Sequence, residues 1–132
     1  LIEVVKEHTK FFSSLAPGPR GASLKNCLNA LITKYGADIF SCELSSDYER
    51  FLSAMVNSRV RIMHIKREQK GMFFNGKESV LYLLKMNLLY RRIMFEVLGI
   101  DEANYKNSLL KCVSRLDGWE GVLNKFLSRL SQ

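Results

Sequence analysis

Apolar residues recur at helical spacing through most of the chain. Between Ser23 and Gly36 they are separated by one or three positions and form a single stripe: Leu24, Cys27, Leu28, Leu31, Ile32 and Tyr35. Similar stripes run through residues 105–116 and 119–130. The only alternation typical of a strand, at residues 59–65, is brief and has no partner strand. The spacing therefore predicts an all-α fold.

Capping residues divide this pattern into separate helices. Ser23 is the expected N-cap and Gly36 the expected end of one helix. A capping box of Ser46 with Glu49 predicts a long helix that continues to Lys70. The first segment, residues 1–16, is expected to end at the connector Pro17-Gly18-Pro19, because proline cannot continue a helix.

Two further helices are predicted towards the carboxyl end. One runs from about residue 77 to residue 98 and ends in a Schellman cap, with Gly99 followed by Ile100. Its charged residues share one narrow stripe, and nearly all its other positions are apolar, so we expect it to be the centre of the bundle. The last helix is expected to begin at a capping box of Asp117 and Glu120.

These segments predict a single-domain bundle of five to six helices over residues 1–132, with the 77–98 helix central. A chain of this length can bury a core of its own without metals or disulfides. Because the sequence begins with leucine, we expect it to be a piece of a larger protein.

Positive charge is concentrated in the middle of the chain. Residues 50–92 hold ten Lys and Arg residues and only two Glu residues, whereas the remainder is nearly neutral. A focused charge of this kind predicts a partner that is acidic or that carries phosphates. The three cysteines include no C-x-x-C pair, so we expect buried free thiols in an intracellular protein, with the nucleus favoured over the cytoplasm.

A possible phosphate-binding loop lies within the basic region. Gly71, Gly76 and Lys77 have the spacing G-x-x-x-x-G-K. Glu78 occupies the position where Ser or Thr would hold magnesium, and a helix rather than a strand leads in, so we interpret the stretch as a helix–helix connector. Its Phe73 and Phe74 could stack on unpaired bases or could pack beneath the connector.

Two arginines occupy positions that are otherwise apolar by helical geometry. Arg59 lies in the angular sector that Leu52 and Met55 occupy earlier in the same helix. Arg91, with Asn87 four residues before it, lies opposite the charged stripe of the 77–98 helix. A buried guanidinium requires a partner. The partner of Arg91 is either internal, with Glu43, Asp47 and Glu49 as candidates, or belongs to another molecule.

Catalytic motifs are missing from the sequence. His8 and His64 are the only histidines, and no metal-ligand spacing or nucleophile motif accompanies them. We therefore expect a domain without catalytic activity, cofactor or metal.

The function predicted is that of a scaffold or adaptor domain, which binds an acidic or amphipathic helical segment of another protein at a basic groove. The alternative is a nucleic-acid-binding module that uses the basic region at residues 59–77. The candidate partner-binding residues are Arg59, Lys66, Arg67, Lys70, Phe73, Phe74, Lys77, Asn87 and Arg91.

Overall fold

The computed structural model of the protein describes residues 2–14, 23–64 and 72–132. These residues form seven α-helices and one 3₁₀ turn, with no strand among them. The all-α prediction is confirmed. The helices are α1 (Ile2–Ser14), α2 (Leu24–Tyr35), α3 (Ser41–Leu44), α4 (Tyr48–His64), α5 (Gly76–Val97), α6 (Glu102–Ser114) and α7 (Glu120–Leu130), with the 3₁₀ turn Arg115–Trp119 before α7.

Several helix boundaries follow from caps that the sequence predicted. The Ser23 hydroxyl accepts a hydrogen bond from the Asn26 backbone N–H, and α2 ends where the Gly36 N–H donates to the Ile32 carbonyl. Helix α5 ends in the predicted Schellman motif. Gly99 has a φ of 71°, a left-handed conformation that favours glycine, and the Ile100 N–H donates to the Phe95 carbonyl.

Other boundaries differ from the prediction. The capping box of Ser46 and Glu49 is wrong, because α4 begins at Tyr48 and the Asp47 carboxylate accepts from the Arg50 N–H. The Ser46 hydroxyl instead donates to a carbonyl of α3. Helix α7 begins at Glu120 rather than at residue 117, because a 3₁₀ turn precedes it. The predicted end of α4 at Lys70 and the Pro17-Gly18-Pro19 connector lie outside the described residues.

The core lies around the inner side of α5, which packs against α1, α2, α6 and α7. Phe51, Phe74, Tyr82 and Phe126 form an aromatic cluster, with ring centroids 4.6 Å apart for the stacked pair Phe74 and Tyr82. Gly36 lets α2 end close to this core, since an added Cβ would lie 3.1 Å from a methyl of Leu89. The central position predicted for the 77–98 helix is confirmed.

Candidate partner-binding surface

Helix α5 directs its charged stripe inward. Glu78 and Lys85 are buried, and the Arg92 side chain is only 14% exposed. Burying three charges on one helix requires a carboxylate or a cation opposite each of them. Each does have such a partner from outside α5, and Arg92 also pairs with Glu96 of α5 itself.

Lys85 forms an ion pair with Glu43 in the interior. Its Nζ lies 2.5 Å from Glu43 Oε1, which also accepts a 2.9 Å hydrogen bond from the Tyr82 hydroxyl. The Glu43 side chain is completely buried, and its second oxygen has no hydrogen-bond partner among the described residues. Burial raises the pKa of Tyr82, and the adjacent Glu43 carboxylate raises it further. The site therefore depends on Lys85 to balance a buried negative charge.

The other two inner charges are paired at the two ends of α5. Glu78 completes the N-terminal capping box with Asn75 and accepts from Arg129 of α7 at 2.5 and 2.8 Å. Arg92 donates to Asp38 at 2.9 Å. Burial alone would lower the pKa of Arg92, but the hydrogen bond to Asp38 and the nearby carboxylates outweigh burial, so the pKa is raised.

The opposite side of α5 is apolar and open to solvent. We define the outer face of α5 by the residues within about 100° of arc on this side: Val80, Leu83, Asn87, Tyr90, Arg91, Met94 and Leu98. Leu83 and Tyr90 are each 63% exposed, and Leu98 is 57% exposed. At 1.5 Å per residue the face is about 27 Å long. A largely apolar strip of this length, interrupted by Asn87 and Arg91, is more typical of an interaction site than of scattered surface leucines.

Arg91 and Asn87 are exposed within the outer face. Arg91 forms no ion pair with any described residue. The internal partners suggested for it are occupied elsewhere: Glu43 binds Lys85, Glu49 lies 2.8 Å from Lys25, and Asp47 caps α4. Among the described residues the structure therefore places Arg91 in no internal ion pair, and its side chain is exposed.

The two phenylalanines of the connector have different positions. Phe74 packs into the aromatic cluster, which is the packing alternative rather than the base-stacking one. Phe73 is half-buried, and its carbonyl accepts a hydrogen bond from Arg129. Lys77 is exposed on the first turn of α5. The structure thus brings Asn87 and Arg91 together but separates them from the Phe74 ring.

Part of the predicted basic region lies outside the described residues. Arg59 belongs to α4, but its side chain is not among those described, and Lys66, Arg67 and Lys70 lie outside the described residues. Two cations of the region, Lys85 and Arg92, are neutralised by internal carboxylates. The charge that can reach a partner is therefore smaller than the sequence count indicates.

The three cysteine thiols differ in their exposure. None of the three cysteines forms a disulfide within the described residues. Cys27 and Cys112 are half-buried, but Cys42 is exposed, so the expectation of burial is wrong for Cys42 because α3 is a single turn at the surface. Within residues 2–14, 23–64 and 72–132 no group of side chains could hold a metal ion, and no helix is long and apolar enough to cross a membrane.

Sequence reasoning missed Leu83 and Tyr90, the most exposed apolar residues of the outer face. The signal was present, because positions 80, 83, 87, 90, 94 and 98 follow one another at helical spacing. It was attributed to the core because apolar stripes of helices usually face inward. The partners of Lys85 and Arg92 could have corrected this assignment, but they lie far away in the sequence.

The fold and this surface define an all-α bundle domain whose central helix presents an open apolar face. The chain matches the Apea-like HEPN family over residues 2–104, which include α1 to α5 and the start of α6, and it belongs to that family. No curated protein and no solved structure matches it.

Proposed function

We propose that the chain is a protein-interaction domain that binds an amphipathic helix on the outer face of α5. The observation that carries this proposal is the exposure of Val80, Leu83, Tyr90, Met94 and Leu98 along one side of a helix whose other side is held by ion pairs. Burial of such side chains contributes roughly 25 cal/mol per Å² of apolar area, which favours association. The proposed mode of recognition is an amphipathic helix bound on an apolar helical surface.

The partner proposed is the α5 of a second copy, which is itself an amphipathic helix in this exposed orientation. Membership of the HEPN family is consistent with a second copy of the chain as the partner. A two-fold axis midway between Val80 and Leu98 passes near Leu89 and makes the two helices antiparallel. Arg91 of one copy then faces Asn87 of the other, whose side-chain oxygen can accept its hydrogen bond. A parallel arrangement would instead oppose two arginines.

Sedimentation velocity over a range of concentrations tests this proposal. The unmodified chain should form dimers as the concentration rises, and Leu83→Glu should remain monomeric because it buries a carboxylate in the interface. Leu110→Glu is the matched control, since Leu110 is an exposed leucine that lies on α6 and does not belong to the outer face. A monomer at every concentration, or a Leu83→Glu variant that dimerises like Leu110→Glu, would contradict the proposal.

Nucleic-acid binding is the second candidate function. HEPN domains are often found in nucleotide-binding or RNase-like proteins, and this supports nucleic-acid binding. It also counts partly against the prediction that the chain has no catalytic activity. The basic residues of the 59–77 region would contact phosphates. If RNA is cleaved, His64 at the end of α4 is the candidate acid–base residue, because His8 is buried with its ring nitrogen 2.6 Å from the Tyr35 hydroxyl.

Retention of a labelled RNA at about 50 mM and about 200 mM salt tests this candidate. Binding should weaken strongly at the higher salt, and the triple change of Lys66, Arg67 and Lys70 to Glu should remove it. Cleavage of the RNA that His64→Ala abolishes would identify an enzyme. If RNA is not retained even at low salt, this candidate is wrong. The intracellular location, with the nucleus favoured, remains a prediction that localisation of a tagged chain can check.

A further inference from the structure

A polar cleft lies between α4 and the end of α7, and none of its lining residues belongs to the outer face of α5. It has a volume of about 420 Å³, and its lining consists of Arg50, Ser53, Asn57, Met72, Arg129 and Gln132. Two of these side chains are guanidinium groups, and none is acidic. Such a lining is suited to a carboxylate, because its two oxygens match the fork of a guanidinium group.

Arg129 is fixed in the cleft but keeps free donors. Its Nη1 donates to both oxygens of Glu78, and its Nη2 donates to the Phe73 carbonyl at 2.9 Å. A guanidinium has five N–H groups, so these three contacts leave at least two of them available. The Glu78 carboxylate is buried and balances the charge of Arg129. Arg129 therefore contributes oriented donors rather than net charge.

Arg50 contributes the uncompensated charge. It is half-buried and forms no ion pair with a described residue, and its Nη1 donates a 2.8 Å hydrogen bond to the neutral Leu130 carbonyl. The nearest acids in sequence are engaged elsewhere, since Asp47 accepts from the Arg50 backbone and Glu49 pairs with Lys25. The Leu130 carbonyl thus orients the Arg50 guanidinium without neutralising it.

The net charge of the lining determines the charge of the ligand that fits. Because Glu78 balances Arg129, the cleft offers one uncompensated positive charge, that of Arg50. A carboxylate carries one negative charge, whereas a phosphate monoester carries about −1.5 to −2 at neutral pH. A polyanion would require further cations, and the lining contains none. The cleft therefore matches a single carboxylate.

The other lining residues fit the peptide chain next to such a carboxylate. A side-chain amide, as in Asn57 and Gln132, offers N–H donors and an oxygen acceptor, which complement a peptide group. Asn57 is half-buried and forms no hydrogen bond with a described residue, whereas the Ser53 hydroxyl already donates to the Glu49 carbonyl. Half-buried Met72 provides an apolar wall for a neighbouring side chain of the ligand.

We propose that this cleft binds an acidic segment of a partner protein. An Asp or Glu side chain of the partner meets Arg50 and Arg129, and the adjoining peptide group meets Asn57. The concentration of positive charge in the middle of the chain predicts an acidic partner, but the two arginines of the cleft lie outside residues 59–77. The proposal does not rest on dimer formation through α5, so either can fail without the other.

The test is an NMR titration of the isotope-labelled chain with two peptides that are blocked at both ends. One peptide has glutamate between two leucines, and the other has glutamine in its place. The glutamate peptide should bind roughly tenfold or more tightly, because hydrogen bonds to a charged group are stronger than neutral ones. It should also shift the side-chain signals of Arg50 and Asn57. Arg50→Gln should remove the preference for glutamate, and Arg50→Lys should restore only part of it, since lysine lacks the guanidinium fork.

Arg115→Gln is the matched control, because it removes the same charge from an exposed position on the 3₁₀ turn outside the cleft. It should keep the preference for glutamate, as should Leu83→Glu. Asn57→Ala disturbs no hydrogen bond of the described fold and should weaken binding, so the test does not depend on Arg50→Gln remaining folded. Three results would overturn the proposal: the two peptides bind equally or not at all, Arg50→Gln and Arg115→Gln have equal effects, or inorganic phosphate displaces the glutamate peptide more strongly than acetate does at equal ionic strength.

Discussion

Replacing Lys85 by methionine should destabilise the domain strongly. The side chain of Lys85 is 6% exposed and that of Glu43 is fully buried, so the variant leaves a carboxylate in the interior with only the Tyr82 hydroxyl as a partner. Breaking a buried ion pair in this way typically costs about 3–5 kcal/mol. For a domain of this size, that corresponds to a fall in Tm of about 10–20 °C. Urea denaturation followed by circular dichroism measures the change in the free energy of unfolding.

A second variant separates the loss of the pair from the loss of packing. Methionine is close to lysine in length and apolar, so it should fill most of the same space. Adding Glu43→Gln to Lys85→Met removes the unpaired charge and keeps an oxygen to accept from Tyr82. The double variant should therefore recover at least half of the lost stability. A cost below about 1 kcal/mol for Lys85→Met, or no recovery in the double variant, would refute this account of the interior.

The exposed cation of the same helix should behave differently. Arg91→Ala should change the free energy of unfolding by no more than about 0.5 kcal/mol, because Arg91 is at the surface and forms no ion pair with a described residue. A large drop in Tm would contradict this. Tyrosine ionisation gives a further check by absorbance near 295 nm. Burial raises the pKa of Tyr35, and nearby carboxylates including Glu96 raise it further. Burial and the Glu43 carboxylate likewise raise the pKa of Tyr82. The raised pKa values of these tyrosines stabilise the folded chain fully below the ordinary tyrosine pKa of 10.0 and less above it. The free energy of unfolding should therefore fall as the pH rises past 10. An unchanged free energy of unfolding there would refute the burial of these hydroxyls as the cause.

Much of the fold was predictable because its signals are local. Ser23 caps α2 through an N–H three residues away, and Gly99 supplies the left-handed conformation that ends α5. Such contacts involve neighbouring residues and leave a pattern in the sequence. The α4 start was predicted less well because Ser46 and Asp47 are both good N-caps, and the turn after α3 decides between them.

The candidate surfaces were less predictable because they depend on long-range pairing. Helical spacing reveals that α5 has a charged side and an apolar side, but it does not reveal which side faces the core. That choice depends on Glu43, which is 42 residues before Lys85, and on Arg129, which is 51 residues after Glu78. The hydrogen bond from Arg50 to the Leu130 carbonyl is equally hidden, since α4 and the end of α7 meet only in the folded chain.

The inner ion pairs of α5 also determine its rotation about its own axis. Their partners belong to four parts of the chain: Asp38 in the turn after α2, Glu43 on α3, Glu102 on α6 and Arg129 on α7. Turning the helix by one residue, about 100°, would break all of these pairs together. Hydrophobic burial alone would not decide between the two sides, because the inner side also carries large apolar residues, among them the buried Leu81, Tyr82 and Leu89. The buried charges therefore select a single rotational state, and this selection keeps the apolar side at the surface.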